Sequence, residues 1–82
     1  MKQILIDNGF EKKGKVFVRN TSSSSKPELK SRIVVAFFRD GYWKASVQFY
    51  NSNGACGLGD FQCKSLKRLI TTLKKECGYC GF

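Results

Sequence analysis

The chain has 82 residues, with fifteen Lys and Arg against six Asp and Glu for a formal charge of +9, and it contains no histidine. That length suits one modest core, and 41% hydrophobic with 13% aromatic residues excludes a disordered basic tail. The missing His removes the commonest general base and the commonest metal ligand, while the charge excess points to a polyanion or an acidic protein surface as partner.

From the N-terminus, Ile4 to Ile6 is far too short a run for a secretory h-region, and no stretch approaches the roughly 18 apolar residues of a membrane span. The expected setting is the cytoplasm (a host's, if the chain is phage-encoded), where structural disulfides are disfavoured. Residues 2–8 read as a short helix stopped at Asn8-Gly9, with Phe10 folding back onto the core. Lys13-Gly14 reads as a tight turn between two extended pieces, the second placing Val16 and Val18 on one face and Phe17 and Arg19 on the other. Residues 20–31 form a flexible Ser-rich loop, either a solvated connection or an arm that orders on a phosphate backbone.

Arg32 to Tyr50 reads as a hairpin about Asp40-Gly41, the dipeptide that two-residue type I′ turns prefer. Such a turn faces Phe38 with Trp43, Ala36 with Ala45 and Val34 with Val47. The core face is then Val34, Ala36, Phe38, Trp43, Ala45, Val47 and Phe49, and the outer face carries Ile33, Val35, Phe37, Arg39, Tyr42, Lys44 and Tyr50. Asn51 to Asp60 is turn-rich. Its glycines, Gly54, Gly57 and Gly59, fit neither a dinucleotide fingerprint nor a Walker loop. Leu66, Leu69, Ile70, Leu73 and Cys77 then recur at helical spacing as one apolar stripe, with Ser65 as cap, Gly78 at the end and Lys74 and Lys75 in the last turn.

The expected fold is α+β: one domain over 1–82, with an antiparallel sheet of three to four strands packed on a C-terminal amphipathic helix beside a short N-terminal helix. Its expected core is Ile4, Leu5, Phe10, Val16, Val18, Val34, Ala36, Phe38, Trp43, Val47, Leu66, Leu69, Ile70 and Leu73. The order helix, three strands, helix is similar to that of double-stranded RNA-binding domains, with Lys64, Lys67 and Arg68 near where those place basic residues. The likeness stops at order and charge: the middle loop lacks their histidine, the first helix is shorter and the last lacks their alanine-rich pattern.

Two surfaces carry candidate chemistry. The polar side of the last helix presents Lys64, Lys67, Arg68, Lys74 and Lys75, with Glu76 as its single acid, where a merely solvated face mixes Lys with Glu. Such a row suits phosphates, Arg68 by its planar fork and the lysines as point charges. Lys12, Lys13 and Lys15 would assist. On the outer sheet face, Phe17, Phe37, Tyr42 and Tyr50 interleave with Arg19, Arg39 and Lys44, the composition of a stacking platform for unpaired bases. That face also suits burial against a protein or a second copy of the chain.

Cys56, Cys63, Cys77 and Cys80 are free thiols, a tetrathiolate zinc site begun by Cys77-Gly-Tyr-Cys80, or disulfides. No other cofactor is implied. With no His and scattered carboxylates, catalysis has no constellation to stand on, so the chain is not expected to be an enzyme. The first expectation is a non-catalytic module binding nucleic-acid phosphates through its last helix. The alternative is a small phage or mobile-element accessory protein that inhibits a host protein or nucleoprotein complex, using the outer sheet face and basic patches.

Overall fold

The computed structural model describes residues 3–51, 54–78 and 81–82, with the side chains of residues 55 and 56 outside that description. Helix α1 (Gln3–Asp7) ends in a Schellman motif: the Phe10 amide donates to the Leu5 carbonyl at 2.9 Å and the Gly9 amide to that of Ile6 at 3.0 Å. Gly9 takes the left-handed conformation this closure requires, at φ 86. Strands β1 (Glu11–Lys13) and β2 (Val16–Ser22) follow, with Lys13 facing Val16 across a two-residue turn. Gly14 stands first in that turn at φ 64, and Lys15 has a negative φ, so it is of type II′.

The sheet has five strands in the order β1-β2-β3-β4-β5, every neighbouring pair antiparallel. β3 runs Lys30–Phe37, β4 runs Trp43–Asn51, and β5 runs Gly54–Cys63 in the segment expected to be turns. The expectation of three to four strands is thus corrected to five. In β5 Gly59 lies against two rings: a Cβ there would meet Phe49 at 3.5 Å and Phe61 at 3.6 Å, ordinary contact distances. The loop expected over 20–31 shrinks to residues 23–29, because β2 extends to Ser22 and β3 starts at Lys30. Thr21 and Ser31 pair across those strands, and their buried hydroxyls hydrogen-bond each other.

The β3–β4 connection is one residue longer than Asp40-Gly41 alone would make it. The Phe38 amide donates to the Tyr42 carbonyl at 2.9 Å and the Gly41 amide to the Phe38 carbonyl at 3.0 Å, so Arg39, Asp40 and Gly41 form the loop. Gly41 has φ 84, while no non-glycine residue has positive φ among the described residues. A type I′ turn needs positive φ at both central residues, which Asp40 does not supply; a type I turn closed by a left-handed glycine is the alternative hairpin geometry. The register becomes Phe37 with Trp43, Val35 with Ala45 and Ile33 with Val47.

A slip of one residue turns a strand over. Ile33 and Val35 are therefore fully buried, whereas Val34 and Ala36 lie half-buried on the opposite face and Phe38 is exposed. Phe17 replaces Val16 in the core for the same reason, since it faces Val35. The core expected at Leu5, Phe10, Trp43, Val47, Leu66, Leu69, Ile70 and Leu73 is buried as expected, with Ile4 partly buried against it, while Val18 is buried on the other face beside Val34.

Helix α2 (Leu66–Cys77) starts at Ser65, whose Oγ accepts from the Arg68 amide at 3.4 Å. Its stripe of Leu66, Leu69, Ile70, Leu73 and Cys77 is buried on the sheet, each large aliphatic side chain contributing roughly 1.5–3 kcal/mol of apolar burial. Gly78 does not close the helix in a left-handed conformation as expected; it stays helical at φ −58, and Gly81 turns the chain instead at φ 93. Both helices share one apolar core with one face of the sheet, leaving the other face uncovered by any described element. The Cα radius of gyration is 12.4 Å, near the roughly 12 Å of a folded chain this long. No helix among the described residues is long and apolar enough to cross a membrane.

Candidate functional site

Burying the stripe of α2 on the sheet fixes which side of the helix faces outward. Lys64, Lys67, Arg68, Lys74 and Lys75 are all exposed, along the helix and the residue pair before it. Thr71 and Thr72 lie among them and turn their hydroxyls inward, donating to the carbonyls of Lys67 at 3.1 Å and Arg68 at 3.0 Å. They offer no counter-charge. Among the described residues the ion pair present is elsewhere, Lys13 with Glu11 at 3.6 Å across exposed side chains, an arrangement of little energetic weight. The five cations of α2 therefore have no carboxylate within 4 Å among the described residues. Lys74 and Lys75 sit at the negative end of the helix dipole.

The other expected cations divide between the two faces of the sheet. Lys12 faces Phe17 and so projects to the helix side at the β1 edge, while Lys13 and Lys44 project to the uncovered side. Lys15 and Arg39 stand in exposed turns. Lys44 places its Nζ 5.8 Å from the centre of the Phe38 ring, within cation–π range.

The aromatic set expected on one sheet face does not assemble. Phe17 is in the core, and Phe37 lies on the helix side against Trp43, ring centres 4.9 Å apart. Tyr42 packs on Phe38 at the hairpin tip at 5.2 Å, and Tyr50 lies at the far end of β4, its hydroxyl donating to Gln48 Oε1 at 2.8 Å. The cause is the register: with β3 turned over, Phe37 moves to the helix side.

The uncovered face carries instead Arg32, Val34, Ser46, Gln48, Leu58 and Asp60, which line a shallow cavity of about 310 Å³. Leu58 is 82% exposed there. Sequence reasoning missed this surface because β5 was not anticipated. Arg19, expected on the outer face among the aromatics, instead lies on the helix side opposite Ile33 and lines a cavity with Lys74 and Phe82.

Cys77 is buried within the α2 stripe, and Cys63 is half-buried on β5 opposite Trp43. The Cys56 side chain and Cys80 lie outside the described residues. Among the described residues no three His, Cys, Asp or Glu side chains converge as a metal site would require. Comparison with known proteins finds no matching family model, no matching curated protein and no matching solved structure.

Proposed function

We propose that this chain is a non-catalytic module that binds nucleic-acid phosphates through the basic face of α2. The observation that carries this reading is the row Lys64, Lys67, Arg68, Lys74 and Lys75, exposed along α2 and the residue pair before it with no carboxylate partner among the described residues. A helix that needed charge only for solubility would gain from interleaved acids. Unpaired cations instead gain by displacing condensed counterions from a polyanion, and such contacts position the partner without reading its sequence. Arg68 offers a fork for two phosphate oxygens, and the lysines supply point charges.

The test is charge reversal on the exposed surface, where folding is unaffected. The double variant Lys67→Glu/Arg68→Glu should lose binding to labelled single- or double-stranded DNA and RNA while keeping the wild-type unfolding midpoint. Undiminished binding in that variant would remove α2 as the interface.

A second reading has its own observation. The uncovered sheet face presents Leu58 and Val34 with Arg32 and Asp60 around one shallow cavity, a mixed apolar and charged surface suited to a protein or a nucleoprotein complex. Under that reading Leu58→Glu abolishes activity and Lys67→Glu/Arg68→Glu has the smaller effect.

A further inference from the structure

Arg19 stands apart from the other cations in how it is held. It lies on the helix side of β2 opposite Ile33, with the Phe82 ring 4.5 Å from its Cζ. Gly9 backs it: a Cβ at that position would come 3.3 Å from Arg19 Nε. Phe82 leans in turn on Phe10, ring centres 6.1 Å apart. This clamp partly buries the guanidinium, and burial draws its pKa below the ordinary value. Yet neither a hydrogen bond nor an ion pair engages the guanidinium among the described residues. Its donors, free of protein acceptors among the described residues, are open to an incoming anion.

The space beside it is built for one. Arg19 and Lys74, from β2 and the last turn of α2, line a cavity of about 410 Å³ with Asp7, Asn8, Gly9 and Phe82. Asp7 in that lining accepts from Gln3 Nε2 at 2.9 Å and forms no ion pair with either cation, and two cations against this one carboxylate leave the lining one positive charge in excess. Lys74 lies seven residues from Lys67, two turns or about 10 Å along the same helix flank. Lys67 itself lies beside Ile4 of α1, so that flank runs along the α1 side and leads to Arg19.

We infer that this cavity is a phosphate site, in which Arg19 takes two oxygens through its fork and Lys74 adds a point charge, and that it receives a backbone phosphate of the nucleic acid lying along α2. The second half of the inference rests on the function proposed above. It extends the contact from an exposed helix face to a cation held rigidly by an aromatic ring.

Two measurements separate the halves. In the first, inorganic phosphate is titrated into the full chain while the Arg19 Nε–H resonance is followed by NMR. A saturable shift is expected, weakened about ten-fold in Lys74→Gln, the scale of one lost charged hydrogen bond. An Arg19 resonance that phosphate leaves unmoved overturns the site. In the second, Arg19→Gln and Lys74→Gln should each weaken nucleic-acid binding about ten-fold and flatten its log-log salt dependence by about one. Arg19→Lys, which keeps the charge in the clamp and loses the fork, should restore part of the affinity. If these variants bind like wild type while Lys67→Glu/Arg68→Glu does not, the site is overturned as part of the interface and the α2 reading stands. If phosphate shifts Arg19 but no nucleic acid binds, the phosphate site is supported and the nucleic-acid reading fails.

Discussion

Replacing Val34 and Val35 by Ala, one at a time, makes the same chemical change at neighbouring positions that the register places on opposite faces of β3. Val35 is fully buried and faces Ala45 across the strand pair, with Phe17 on its other side. Removing two methyl groups there forfeits about 1.6 kcal/mol of transfer energy, and the cavity left in a close-packed core raises the cost to about 2–3 kcal/mol. Val34 is half-buried on the uncovered face, where water fills the vacated space and the cost is about 0.5 kcal/mol. For a domain of this size 1 kcal/mol moves the midpoint by roughly 4–8 °C. Val35→Ala should therefore melt roughly 10–20 °C below wild type and Val34→Ala within a few degrees of it, read by circular dichroism or by fluorescence of the buried Trp43. A Val34→Ala penalty equal to or larger than that of Val35→Ala would place β3 in the register of a two-residue Asp40-Gly41 turn and refute the assignment of faces.

Gly9→Ala should cost about 1–2 kcal/mol in urea unfolding, since it forces φ 86 on a residue with a Cβ and presses that atom toward Arg19. Ser65→Ala removes the cap that accepts from the Arg68 amide and should cost about 1 kcal/mol, with Ser65→Asp retaining wild-type stability. Gly81→Ala sets a Cβ against the Ser22 carbonyl. It should displace Phe82 from Phe10 and Arg19, visible as a loss of ring-current shifts at Arg19, at a cost of about 1–2 kcal/mol; an unchanged Arg19 spectrum would count against the clamp.

Those predictions lean on features that were not equally legible in the sequence. Helix α2 was, because Leu66, Leu69, Ile70, Leu73 and Cys77 fall on one stripe and every other position is polar, a periodicity no strand can satisfy. The end of α1 was as well, since Asn8-Gly9 before an aromatic residue leaves few other closures. The facing of β3 was not. Ile33, Val35 and Phe37 form one alternating set and Val34, Ala36 and Phe38 another, both apolar, so alternation cannot choose between them. The loop decides, and its length turns on the φ of Asp40. Strand β5 was hidden by its glycines, which read locally as turns although Gly57 and Gly59 instead lie against the Phe49 ring from the neighbouring strand.

The candidate surfaces follow the same division. The basic row on α2 was readable because the helix was, and the register of its stripe determines what remains outside. The grouping of Phe17, Phe37, Tyr42 and Tyr50 depended on the facing of β3 and dissolved with it. Arg19 was read onto the outer face because its actual setting depends on Gly9, Phe82 and Lys74, residues far apart in the chain that meet where α1, β2 and the end of α2 converge.

The most direct test of α2 as a phosphate-binding face is fluorescence anisotropy of labelled DNA and RNA across a salt series, wild type beside Lys67→Glu/Arg68→Glu. Five cations engaging five phosphates predict a log-log slope of roughly −3.5 for single strands to −4.5 for a duplex, with a markedly shallower slope and far weaker binding in the variant. Binding that is indifferent to that substitution, or so weak that it vanishes near physiological salt for every nucleic acid tried, would contradict the account and turn attention to the Leu58 face.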